Sequence, residues 1–144
     1  MRALGIDLGS KRIGVALSDS AGTMATPFEV VTRSGSREAD HRRIRALAEE
    51  AGAQCLVVGL PLSLDGSVGR AAQSALDEAD ELAAATGLPV EMWDERLTTV
   101  SADRDLLAME LKADARRRVV DKVAASIMLQ AWLDHRRLTP PEKA

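Results

Sequence analysis

The chain has 144 residues, 46% of them hydrophobic and 28% charged, and its formal net charge is −3. This size and composition are typical of one soluble globular domain, which we place at residues 1–138 with a flexible tail at residues 139–144. No apolar stretch approaches the roughly 20 residues that cross a membrane, and no signal peptide precedes the first predicted strand. The lone Cys55 cannot form an internal disulfide, which fits a reducing compartment. We therefore expect a cytoplasmic protein with no membrane partner.

The first part of the chain predicts three strands joined by tight turns. Apolar segments cover residues 2–8 and 12–18, and the tripeptide Gly-Ser-Lys at residues 9–11 is a turn between them. A third strand is predicted at residues 24–31, after a second turn at residues 20–22. Successive strands with short connections of this kind form an antiparallel meander.

The rest of the chain alternates helices with short apolar strands. Apolar residues at helical spacing, glycines that stop two of the helices, and short apolar runs indicate these elements. We predict helices over residues 37–51, 70–86, 99–112 and 118–136, and strands over residues 54–58 and 88–93. Together with the meander they give an α/β layout, which can be assembled as one five-stranded sheet covered by helices.

Three carboxylates are candidates for a common site. Asp7 interrupts the first apolar strand, where an unpaired charge is costly and therefore usually pairs, becomes neutral or binds a metal. Glu95 follows the last predicted strand, at the edge where open α/β sheets bind ligands. Asp121 shares a predicted helix face with apolar residues such as Met128, so we expect its carboxylate to face protein. Converging carboxylate oxygens are the ligands that Mg²⁺ and Mn²⁺ prefer.

Each carboxylate also has a plain structural interpretation. Asp7 could cap a turn or pair with Lys11. Glu95 could belong to a charged loop, and Asp121 could pair with a neighbouring arginine of its own helix. Each of these alternatives stays open when its residue is considered alone. If there is no common site, however, the structural interpretation must be correct for all three carboxylates at once.

Basic residues accompany the carboxylates although the chain is acidic overall. Local basic patches around an acidic cleft allow a net-acidic protein to hold a phosphate backbone. Each group of basic residues, considered alone, can also be explained as solvated surface charge. Arg96 can also be explained as the partner of an adjacent carboxylate. We predict contacts to nucleic-acid phosphates, which position the substrate more than they read its sequence, from Lys11, Arg12, Arg96, Arg116, Arg117 and Arg118.

Four blocks of sequence closely resemble the YqgF family, also named RuvX. They are Gly5-Ile6-Asp7-Leu8-Gly9 with residues 11–16, Val58-Gly59-Leu60-Pro61 with Gly66, Asp94-Glu95-Arg96-Leu97-Thr98-Thr99, and Asp121-Lys122-Val123-Ala124-Ala125 with Leu129-Gln130. The first block alone is weak because it occurs in other folds. The four together, in this order and spacing, are highly specific and extend over nearly the whole chain.

The resemblance implies a ribonuclease H-like fold, whose mixed sheet has three antiparallel strands followed by two parallel ones. It also implies a hydrolase, a nuclease dependent on Mg²⁺ or Mn²⁺, whose catalytic and metal-binding acids are Asp7, Glu95 and Asp121. The family is associated with processing the 5′ end of pre-16S rRNA during ribosome biogenesis, and was earlier proposed to resolve Holliday junctions. By the same likeness, the loop at residues 59–69 would lie near the nucleic acid.

We therefore expect phosphodiester hydrolysis on structured RNA, with association with ribosome precursors, and resolution of branched DNA as the alternative. A resolvase would need paired active sites to cut two strands symmetrically, whereas an RNA-processing enzyme could work alone. The expected oligomeric state, monomer or homodimer, therefore depends on the substrate. Two further classes remain open. One is a non-catalytic nucleic-acid-binding module. The other is an ATPase of the actin and sugar-kinase type, because residues 5–10 also resemble the first phosphate motif of those proteins, which however need two such domains.

Overall fold

The computed structural model describes residues 1–97 in full, the helical backbone of residues 113–138 and, within that helix, the side chains of residues 123–136. The predicted helix at residues 99–112 and the predicted tail at residues 139–144 lie outside the described residues. In the described part the elements are, in chain order, β1 (Ala3–Leu8), β2 (Arg12–Ser18), β3 (Ala25–Thr32), α1 (Arg37–Ala51), β4 (Cys55–Leu60), α2 (Arg70–Thr86), β5 (Val90–Asp94), one turn of 3₁₀ helix (Glu95–Leu97) and α3 (Ala113–Leu138).

The strands form one mixed sheet in the order β3-β2-β1-β4-β5. β1 pairs antiparallel with β2, which pairs antiparallel with β3, whereas β4 is parallel to both β1 and β5. The predicted arrangement of three antiparallel and two parallel strands is therefore confirmed. Several predicted bounds differ from the observed ones by one or two residues, and β4 extends to Leu60, so that Gly59 and Leu60 belong to a strand and not to the predicted loop. The largest difference is at α3, which begins at Ala113 and not at residue 118. Residues 113–117 are good helix formers without an apolar stripe, so periodicity does not reveal them.

Local capping explains where α1 begins and where α1 and α2 end. The Ser36 hydroxyl accepts a hydrogen bond from the backbone N–H of Ala39 at 3.2 Å, which satisfies a free amide in the first turn of α1. Gly52 and Gly87 end α1 and α2 in the left-handed conformation, with φ of 67° and 71°. Among the described residues, no helix has the length and apolar character needed to cross a membrane.

Two hydrophobic cores lie on opposite faces of the sheet. Even-numbered residues of β1 and β4 pack against α1 and α2, where Ile44 and Leu82 are fully buried. Odd-numbered residues of the same strands pack against α3, whose Leu129 is also fully buried. Side chains alternate between the faces along a strand, so Asp7 belongs to the face covered by α3. Burial of each large apolar side chain contributes about 1.5–3 kcal/mol, and these contacts hold the strand ends in place.

Candidate active site

Asp7 and Glu95 lie at the carboxyl ends of strands on either side of β4. Asp7 is the penultimate residue of β1, faces Gly14 across the antiparallel pair, and is buried with 8% exposure. Glu95 directly follows β5 and opens the 3₁₀ turn. β4 is hydrogen-bonded to both β1 and β5 in parallel register, so the sheet brings both acids to the same edge.

Gly59 in β4 provides the space in which the Glu95 side chain lies. An added Cβ at Gly59 would stand 2.5 Å from Glu95 Oε1 and 3.0 Å from the Met128 sulfur of α3. The carboxylate therefore lies directly against the backbone of the strand between β5 and β1. Position 121 is seven residues before Met128 on α3, about two helical turns away. The side chain of Asp121 lies outside the described part, so its membership of the site stays a prediction.

Both described acids line one cleft of about 490 Å³. Carboxylate oxygens at a cleft of this kind suit Mg²⁺, which is typically held by one or two carboxylates together with waters and substrate phosphates. Among the described side chains, no group of three or more His, Cys, Asp or Glu residues could hold a metal ion. The described part therefore contributes two acids of the predicted three. The other residues lining the cleft are Leu8, Gly9, Ser10, Arg33, Arg37, Gly59, Pro61, Ala71, Ser74, Ala75 and Glu78.

Lys11 and Arg12 lie beside the cleft, in a second cavity of about 570 Å³. The two cavities share Ser10, Arg33 and Arg37 in their walls, so they are neighbours on the surface. This arrangement places the cations of the first turn next to the two acids, which is compatible with the predicted contacts to phosphates.

Arg96 is engaged in a local ion pair with Asp94, the alternative that the sequence left open. Its Nε donates to Asp94 Oδ1 at 3.0 Å and its Nη2 to Oδ2 at 2.7 Å, and these hydrogen bonds hold the pKa of Asp94 below its usual value. Its Nη1 also donates to the carbonyl oxygen of Leu64 at 3.3 Å. Arg96 thus braces the loop after β4, and its contact with nucleic acid stays a prediction. The side chains of Arg116, Arg117 and Arg118 lie outside the described part.

Three residues near the cleft were not predicted from the sequence: Arg33, His41 and Glu78. Glu78 lies on the buried face of α2 between Ala75 and Leu82, and its side chain is only 3% exposed. A charged residue on an apolar helix face is the same signal that marked Asp7 in its strand. Its partners could not be found in this way, because they lie 37 and 45 residues away in the chain.

Comparison with known proteins identifies the family to which the chain belongs. The family model RuvX, described as Holliday junction resolvase, matches residues 1–135. A Mycobacterium ulcerans protein named "Putative pre-16S rRNA nuclease" is 51% identical over 138 residues, covering 94% of this chain and 80% of the relative. A Myxococcus xanthus protein of the same name is 46% identical over 142 residues, covering 99% of this chain and 92% of the relative.

The fold has a counterpart among solved structures. The structure of Thermus thermophilus RuvC in complex with a Holliday junction substrate matches with a TM-score of 0.58. The match covers 95% of this chain and 96% of the RuvC chain at 18% sequence identity. At this identity the likeness concerns the fold, and it confirms the predicted ribonuclease H-like architecture.

Proposed function

Because this chain belongs to the RuvX family, we propose that it is a nuclease, which hydrolyses phosphodiester bonds in the cleft that contains Asp7 and Glu95. The observation that carries the proposal is the placement of Glu95 against Gly59, on the strand next to the one that bears the buried Asp7. Two carboxylates that are far apart in the sequence thereby line one cleft at the carboxyl ends of the strands. This is the edge at which α/β sheets usually bind ligands.

We infer that the cofactor is Mg²⁺ or Mn²⁺, held by Asp7, Glu95 and Asp121. A bound divalent ion supplies Lewis-acid stabilisation of the phosphate and a water of lowered pKa. The chain's own part is to hold carboxylates at fixed positions. Strand β1 carries the buried Asp7, and Gly59 leaves room for the Glu95 carboxylate. A fixed ligand arrangement removes the cost of organising the site during each turnover.

The substrate that we propose is the 5′ end of pre-16S rRNA. We further propose that the protein is cytoplasmic and associates with ribosome precursors. Support comes from the relatives of 46% and 51% identity, whose name specifies pre-16S rRNA. Lys11 and Arg12, in the cavity next to the acids, would hold phosphates on one side of the bond to be cut. Such contacts position a backbone without reading its sequence. Arg96 and the Arg116–Arg118 cluster are further proposed phosphate contacts.

Cleavage of a 5′-extended 16S rRNA precursor with Mg²⁺ or Mn²⁺ tests the proposal. We expect the Asp7→Asn variant to lose cleavage while largely keeping RNA binding, since the change removes a charged metal ligand without altering the size of the side chain. The matched control is Asp77→Asn on α2, where an exposed carboxylate accepts a hydrogen bond from Gln73 outside the cleft. Equal cleavage by the wild-type and Asp7→Asn proteins would refute the assignment of Asp7.

Resolution of Holliday junctions is the second candidate, favoured by the description of the family that matches residues 1–135. A four-way DNA junction, assayed beside the RNA precursor, separates the two activities. Symmetric paired nicks in the junction, together with a dimer in solution, would favour the resolvase. Selective cutting of RNA that depends on Asp7 would favour rRNA processing. Binding of both substrates without cleavage would refute the nuclease and favour a non-catalytic module.

A further inference from the structure

A buried ion-pair network lies beside the turn that joins β1 to β2. The Glu78 carboxylate accepts hydrogen bonds from both terminal nitrogens of Arg33, each at 2.9 Å. His41 Nε2 lies 2.7 Å from Glu78 Oε2. The side chains of His41 and Glu78 are 4% and 3% exposed, and Arg33 is 19% exposed. The network therefore connects β3, α1 and α2 within the protein, next to the cleft.

Arg33 holds the β1–β2 turn at two points. Its Nε donates to the carbonyl oxygen of Gly9 at 2.7 Å, and its backbone N–H donates to the carbonyl oxygen of Lys11 at 2.9 Å. Gly9 is two residues after Asp7, and its N–H donates to the Asp7 carbonyl oxygen at 3.1 Å. The turn is also sterically tight, because a Cβ at Gly9 would collide with the carbonyl oxygen of Arg12. The backbone that carries Asp7 is thus tied directly to Arg33.

Glu78 keeps Arg33 in this orientation. Burial alone would raise the pKa of Glu78, but hydrogen bonds from Arg33 and His41 and the charges of Arg33 and Arg37 outweigh it, so the pKa lies below its usual value. Glu78 is therefore a carboxylate at neutral pH. It engages two of the three guanidinium nitrogens, which leaves Nε directed at Gly9.

Stability alone gives a weak reason for such a network. Burying charged groups costs desolvation energy, and apolar side chains of similar volume often stabilise a fold as well or better. A network of this kind instead restricts its members to one geometry. Here the contacts with Glu78 fix the guanidinium of Arg33, and its remaining nitrogen, Nε, donates to the carbonyl oxygen of Gly9, which lies between Asp7 and Lys11 in the chain.

We propose that Arg33, oriented by Glu78 and His41, is a positioning residue for the reaction. It fixes the β1–β2 turn, and through it the Asp7 carboxylate on one side and the cation of Lys11 on the other. This inference rests on the proposed function of the cleft, since its consequence for catalysis requires Asp7 to be a catalytic acid. A displacement of about 1 Å in a reacting group can reduce a rate on the order of 100-fold, so a hydrogen bond that removes such freedom is significant.

The Arg33→Lys variant tests the proposal because it keeps the charge and much of the volume. An ammonium group cannot donate to Gly9 while also making the paired contact with Glu78. We expect kcat for RNA cleavage to fall roughly 10- to 100-fold, while KM changes less than about threefold. Amide hydrogen exchange over residues 8–12 should become faster. Glu78→Gln should shift both measurements in the same direction, because a neutral amide holds Arg33 less firmly.

Arg42→Lys is the matched control, since Arg42 is an exposed residue of α1 that pairs with Glu38 within the same helix. It should leave kcat and the exchange of the turn unchanged. The proposal is overturned if Arg33→Lys lowers only the free energy of unfolding, with kcat and exchange at wild-type values. Wild-type protein that cleaves no RNA or DNA would overturn the proposed function separately, because hydrogen exchange still reports whether Arg33 holds the turn.

Discussion

Replacing Gly59 with alanine adds one methyl group at the centre of the candidate site. The new Cβ would lie 2.5 Å from Glu95 Oε1 and 3.0 Å from the Met128 sulfur. Real Cβ atoms essentially never approach another heavy atom more closely than 3.0 Å, and ordinary contacts begin near 3.4 Å. Gly59 is a strand residue paired with Trp93 of β5, so we expect the side chains rather than the backbone to give way.

The size of the effect follows from these distances. The Glu95 carboxylate must retreat by about 0.9 Å to restore ordinary contact with the added methyl. A displacement of about 1 Å in a catalytic group can lower a rate on the order of 100-fold. The Met128 side chain is flexible and needs to move only a few tenths of an ångström. We therefore expect a fall in kcat of about two orders of magnitude with a loss of stability of only about 1–3 kcal/mol.

Two measurements on the purified variant separate these effects. Single-turnover cleavage of the RNA precursor across a Mn²⁺ titration gives the rate and the apparent metal affinity, and urea unfolding gives the stability. Gly69→Ala is the control, because among the described residues its added Cβ meets only the Ser63 hydroxyl, at 3.3 Å, and leaves Glu95 untouched. A Gly59→Ala protein that cleaves at the wild-type rate would show that the position of Glu95 against β4 is irrelevant to the chemistry.

Three further predictions concern stability, each measured by urea unfolding. Ser36→Ala removes the side-chain acceptor for the Ala39 amide and should cost about 1 kcal/mol; an unchanged midpoint would contradict the cap. Ile44→Ala empties a fully buried position and should cost about 2–5 kcal/mol, whereas Met24→Ala, at a residue 62% exposed, should cost little. The pKa of Glu78 is held below its ordinary value near 4.5, so its contribution is complete above that pH and is lost as pH falls through the folded pKa. Unfolding of Glu78→Gln should therefore depend less steeply on pH below 4.5, and equal slopes would contradict the pairing.

The sequence was most informative where a residue departs from its local pattern. Asp7 interrupts an apolar strand and Glu95 follows a strand end, and both features are visible within a few residues of the chain. For the elements that the structure describes, strand and helix positions followed from periodicity to within two residues, apart from the start of α3. The Arg33–Glu78 pair gave no such signal as a pair, because its members lie 45 residues apart and Arg33 alone resembles an ordinary surface charge.

Element types, and Asp7 and Glu95 as candidates for one site, could be read from the sequence, because strand patterns and helical spacing are properties of short segments. Tertiary structure alone decided which elements became neighbours. Pairing of Ala3 with Cys55 joins segments far apart in the chain and puts β4 next to β1, the strand that carries Asp7. The pairing of β4 with β5, in which Gly59 faces Trp93, places Glu95 against Gly59, and the packing of α2 brings Glu78 to Arg33. Such contacts depend on burial and register across the whole domain, which no local pattern encodes.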